Sequence, residues 1–313
     1  MKAFKIAVLC GAVALALAGC KGKSVEQMAS AVAGGAVTAN GSSKSSESAS
    51  KVYNSYVKAH NTITGMFYGS VKGKDELLKA YVAQNLGSGK SKGDPRLYLN
   101  TSSVKTLSER LEEAQNTKIG GDYAVLEEKA GQLLVTSKEL LKVGKDLESY
   151  FESKQYLEDK MAKAQATNDT FVQLWTKFNA EYDAMSAEMD KIEEARRAKD
   201  IAEFEKAGKL REANNERALL ISNNVLKLID DGRSLKDAQK IAAIDAEIVK
   251  LEAALKQLQE ETGKTKEDKE NYKFESRRER LNRFVGYWRG FKQSKDVRDL
   301  NRMIDLYNDA VKS

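Results

Sequence analysis

Residues 175–192 read WTKFNAEYDAMSAEMDKI, and the spacing of their large apolar side chains decides the fold class. Trp175, Phe178, Tyr182, Met185, Met189 and Ile192 follow one another at steps of three and four. That period puts all six on one stripe of an α-helix, whereas a half-buried strand needs strict alternation. Such a stripe is built to lie against another helix, as in a bundle or coiled coil. Met and aromatic side chains can also line a ligand groove, but at this spacing packing is the simpler use.

The same logic extends in both directions. Towards the N-terminus, Leu126, Leu133, Leu140, Leu147, Tyr150, Leu157 and Met161 line a long segment that opens near Asp122, with Ala130, Ser137 and Gly144 as small contacts between them. Towards the C-terminus, charge rises from Glu193 to Arg211 and the apolar register weakens, which predicts a solvated face. Leu219, Leu220, Val225, Leu226 and Ile229 resume the pattern, Asp230-Asp231-Gly232-Arg233-Ser234 signals a turn, and Ile241, Ile244, Ile248, Leu251, Leu255 and Leu258 follow before Gly263. Two apolar helices joined by a short turn predict an antiparallel hairpin. Earlier, Ser50 is a fitting N-cap for a helix carrying Val52, Tyr53, Tyr56, Val57, His60, Ile63 and Phe67. A second helix is expected from Asp75 to about Leu86, and the Gly/Ser/Lys-rich stretch from Gly87 to Pro95 is the clearest loop. Pro95 is the one proline in 313 residues. These readings predict an all-α fold over residues 51–313, an elongated antiparallel helical bundle with long coiled-coil-like helices.

The N-terminus sets the location. Lys2 and Lys5 precede an apolar run from Ile6 to Ala18, too short for the ~20 residues that span a bilayer and fitting for a signal peptide. Leu17-Ala18-Gly19-Cys20 resembles the lipobox of bacterial lipoproteins. The resemblance implies removal of residues 1–19 and transfer of a diacylglycerol to the Cys20 sulfur, which makes the membrane a partner through that anchor. Lys21 stands where aspartate would resemble an inner-membrane retention signal, so the outer membrane, facing the periplasm, is the expected site. Residues 20–50 then form the lipidated cysteine and a flexible tether, with Ala33-Gly34-Gly35-Ala36 and Gly41-Ser42-Ser43-Lys44-Ser45-Ser46 as its core. A chain of ~30 such residues reaches ~30 Å. With Cys10 removed and Cys20 modified, no disulfide is possible and the fold must stand on packing.

Chemistry-bearing patterns are few. His60 is the one histidine, and no second histidine or cysteine is present to share a metal, so a structural or surface histidine is expected and no metal or cofactor. Paired Glu-x-x-His motifs for a di-iron bundle are absent. Gly89-Lys90-Ser91 suggests a phosphate loop, but Gln84 stands where that motif needs its first glycine. Ser55-x-x-Lys58 and Ser102-x-x-Lys105 match a serine–lysine pair without its companion motifs. No catalytic residue is assigned and no enzyme activity is expected. The first reading is a lipid-anchored cell-envelope binding or scaffold protein. The alternative is an envelope hydrolase whose carboxylates are brought together only by folding.

The stretch from Lys273 to Arg302 departs from a plain bundle, with ten basic residues against four acids. Leu281, Phe284, Trp288 and Phe291 should pack inward and leave an outer basic stripe. Arg277, Arg278, Arg280 and Arg283 are therefore the candidates for binding an anionic surface, whether lipid headgroups, lipopolysaccharide phosphates or an acidic envelope protein; the alternative is a charged solvated helix with local ion pairs. Nucleic acid would fit the charge but not the location.

Lys51-Val52-Tyr53-Asn54-Ser55-Tyr56-Val57-Lys58 with His60-Asn61 opens the domain, and Leu306-Tyr307-Asn308-Asp309-Ala310-Val311-Lys312 closes it. These Tyr-Asn pairs resemble the YiiG-like family of bacterial lipoproteins of unknown function, over about Lys51 to Ser313. The resemblance implies an all-helical envelope domain and brings no catalytic role to Tyr53, Asn54, Tyr307 or Asn308. The recurrence of Tyr-Asn-x-x-Val-Lys predicts similar packing roles for the two terminal helices and leaves open whether they touch.

Overall fold

A computed structural model describes residues 52–62, 74–89, 93–117, 120–229, 235, 237–264 and 269–312. The signal sequence, Cys20, the tether, Ser50, Ile63, Phe67, Lys90, Ser91 and the turn at 230–234 lie outside the described residues. Every regular element among the described residues is helical, which makes the fold all-α. Helix α1 covers 52–62. It is followed by α2 (Lys74–Val82), α3 (Thr101–Gln115), α4 (Ala124–Glu152), α5 (Ala162–Lys206) and α6 (Leu210–Ile229). The chain ends with α7 (Ala238–Lys264), α8 (Lys269–Ser294) and α9 (Val297–Lys312).

From α3 onward each helix packs on the next, and α9 returns to touch α6. The apolar stripes explain this order. Trp175, Phe178, Met185 and Met189 of α5 are fully buried against Leu126, Leu133, Leu140 and Leu147 of α4. Gly144 lets the segment ahead of α3 come close, because a Cβ there would sit 3.3 Å from Leu99 Cδ2 and 3.6 Å from Phe171 Cε2. The expected hairpin is present, with Val225, Leu226 and Ile229 of α6 packed beside Ile244, Ile248 and Leu251 of α7. Phe284, Trp288 and Phe291 of α8 point inward as their spacing requires.

These contacts fall into two hydrophobic cores. The first draws on α1 to α5 and its buried members end at Met189, whereas the second begins at Ala218 in α6 and runs to Val311 in α9. Helix α5, 45 residues long, contributes to the first core and continues past it. At 1.5 Å per residue it is about 68 Å long. The terminal tyrosines sit in different cores: Tyr53 is in the first, donating to the Met189 carbonyl at 3.3 Å, and Tyr307 is in the second. Their recurring motif therefore serves two separate packing sites.

Two boundaries differ from expectation. The second helix stops at Val82, and Leu86 instead opens a 3-10 turn over Leu86–Ser88. The leucine stripe of α4 does not run on to Leu157, because α4 ends at Glu152 and Leu157 is 68% exposed. The backbone reverses there through positive φ at Lys154, Lys160 and Met161, which a periodic reading cannot detect. Tyr156 takes the buried place instead, Met161 is buried as its spacing predicts, and the reversal is braced by Tyr150 Oη donating to Asp159 Oδ1 at 2.5 Å and Tyr156 Oη to Asp94 Oδ1 at 3.1 Å.

Candidate functional site

The region between the two cores is polar, and it is buried. Glu193 and Arg197 of α5 are only 4% and 2% exposed, so the stretch read as a solvated face holds two of the most enclosed charges described. Gly208, at φ +69, lets the chain reverse after α5, and α6 then runs back along it. That reversal brings Glu216 of α6 onto Arg197, which also reaches Glu193 one turn earlier at 2.9 Å. Arg196 forks onto both Glu193 oxygens at 3.0 and 2.8 Å and reaches Asp200 at 3.0 Å. Further along the pair, Lys227 bonds Glu194 and Arg217 bonds Glu205. A charge withdrawn from water needs a partner with good geometry, and here α5 and α6 supply one another's. The clue available in the sequence was the order Glu193 then Arg197, four apart, which is the favourable helical spacing for an ion pair.

Arg211, Asn214, Asn215, Asn223 and Asn271 extend the buried polar zone. Arg211 bonds Asn271 and lies over the Phe274 ring at 4.6 Å, tying α6 to α8. Electrostatics follow from this crowding. Burial raises the Asp200 carboxyl above its ordinary range; Arg196 opposes that, and Glu216, Glu203 and Glu193 add to it. Burial opposes the Arg196 charge, but bonding to Glu193 outweighs it and holds the guanidinium above its usual value. Arg277 is shifted the other way: burial lowers it, Glu216 opposes, and Arg197 and Arg280 repel it.

Helix α8 distributes the four candidate arginines unevenly. Arg278 is paired with Glu275 at 2.7 Å and reaches Gln259 of α7 at 3.4 Å. Arg280 bonds Ser276 Oγ on its own helix, and Arg283 is exposed. Arg277 is half-buried, faces Arg197 and Glu216, and has a buried Nε with no hydrogen-bond partner. Arg277 and Arg280 are three apart and share one side of the helix, with Arg278 and Arg283 on its flanks.

His60 is enclosed in the first core, with Nε2 at 2.5 Å from Ser186 Oγ and its ring stacked 5.2 Å from Tyr182. Burial lowers its pKa to about 4, against a raising contribution from Asn61, and keeps it neutral. Lys105 turns to Glu109 at 3.5 Å. Among the described residues, no helix is long and apolar enough to cross a membrane, and no group of three or more His, Cys, Asp and Glu side chains could hold a metal ion.

The fold and the junction together define a helical protein with two cores and a buried guanidinium–carboxylate seam between them. A family model described as a protein of unknown function, DUF3829, matches residues 47–287, and the chain belongs to that family. The match takes in α1 through most of α8, hence the whole seam, and stops before α9. No curated protein and no solved structure matches the chain.

Proposed function

We propose that this DUF3829 protein is a lipid-anchored binding or scaffold protein of the cell envelope, resembling the YiiG-like lipoproteins. In this reading Cys20 holds it in the outer membrane facing the periplasm, and it acts by presenting surfaces to a partner. The observation that carries the reading is how the junction carboxylates are used. Glu193 and Asp200 accept from arginines of their own helix, and Glu216 accepts from Arg197 across the pair, which ties α6 to α5. Glu193, held between Arg196 and Arg197, is a poor general acid or base, and this weighs against a hydrolase built on that carboxylate. A clamp between two cores instead holds surfaces at a fixed separation, as a scaffold requires.

Mild cross-linking in whole cells, followed by purification of the lipidated protein, tests the proposal. The expected result is a recurrent envelope protein or anionic lipid attached to the wild type and lost from Cys20→Ser. Turnover of an envelope substrate by the purified protein, abolished by one substitution in a carboxylate, would overturn it.

A further inference from the structure

Arg277 sits where a counter-charge is missing. Its neighbour Glu216 has both oxygens engaged, one by Arg197 and the other by Asn215 Nδ2 at 3.1 Å. Arg197 is likewise committed to Glu193 and Glu216. Among the described residues, neither Arg277 nor Arg280 has a carboxylate within ion-pair distance, while Arg278 beside them does. The described charges that act on Arg277 are Glu216, Arg197 and Arg280, and Glu216 is already bonded by Arg197 and Asn215. Arg277 is half-buried, and its buried Nε has no hydrogen-bond partner, which is unfavourable at a charged donor.

We propose that Arg277 and Arg280 form a binding site for one phosphate group, entered from the solvent side of the seam between α5, α6 and α8. This deepens the binding-protein reading above and rests on it. Residues three apart on a helix present their side chains about 5–6 Å from one another, close enough for two forks to grip one tetrahedral oxyanion. Arg197 adds positive potential from behind, and Glu216 is held away by its own partners. The phosphate group can come from a lipid headgroup or from a soluble phosphate, and the chemistry of the grip is the same.

The test uses the full-length lipidated protein in a neutral detergent at constant ionic strength. Binding is followed by the shift in thermal unfolding on titration with inorganic phosphate and, separately, with water-soluble dihexanoyl phosphatidylglycerol. Wild type is expected to bind at least one of the two saturably, and Arg277→Gln to bind about tenfold more weakly or not at all. Lys256→Gln removes one charge from a side chain that is 78% exposed on α7, and is expected to bind within about twofold of wild type. Response to phosphate alone assigns a soluble ligand; response to the lipid alone assigns a headgroup. If circular dichroism shows that Arg277→Gln has lost helix, Arg280→Gln takes its place with the same expectation. Absence of saturable binding to either probe, or equal binding by the arginine variant and wild type, overturns the site. Neither result alters the attachment at Cys20 or the capture of a partner, so failure here is distinct from failure of the scaffold reading.

Discussion

His60 shows how burial alone can fix a residue's chemistry. Enclosed by Tyr182 and Ser186, it titrates near about 4, so it is neutral in the folded protein at any pH above that. The unfolded chain takes up this proton near the ordinary value of 6.5. Between the two values the unfolded state binds more protons, so stability rises with pH there. The contribution is complete above about 6.5 and is lost as pH falls towards about 4, a change of about 3 kcal/mol. Urea unfolding at successive pH values should show this loss in wild type and not in His60→Gln. Because the chain has one histidine, its imidazole proton resonance reads the folded value directly; a midpoint near 6.5 would contradict the account. The sequence, with no second histidine or cysteine to share a metal, left His60 as either a structural or a surface residue. Its full enclosure was not legible there, since Tyr182 and Ser186 approach it from 120 or more positions away.

Helices α5 and α6 depend on one another through charge. Replacing Arg197 by Met leaves the buried Glu193 to Arg196 alone and removes the arginine from the part-buried Glu216, and should destabilise the protein by about 2–3 kcal/mol in equilibrium unfolding. Combining Arg197→Met with Glu193→Gln and Glu216→Gln should recover most of that loss, because the cost lies in the uncompensated charges. A full loss retained in the triple variant would mean that packing by the Arg197 stem, and not charge, holds the seam. Periodicity located α5, and the α6–α7 hairpin followed from two apolar stripes and a turn. The buried ion network did not follow, because a charged helical stretch reads the same whether water or another helix covers it. Leu157 failed for a related reason. Its phase matched the α4 stripe, but left-handed backbone at Lys154 ended the helix before the stripe reached it.

At the scale of the molecule, the described residues pack into two cores, one drawn from α1 to α5 and one from α6 to α9. Abundant helix formers and a single proline made the all-α class legible, whereas the division into two cores depends on which stripes meet and is written in no single segment. The oxyanion site lies at that division, and the proposed tether decides which surface of the envelope it faces. The anchor is therefore the central claim, and mass spectrometry of the N-terminal peptide from cell membranes tests it most directly. The account predicts a peptide that starts at Cys20, with residues 1–19 removed and a diacylglycerol on the sulfur. A peptide retaining Met1, or one starting at an unmodified Cys20, would contradict it.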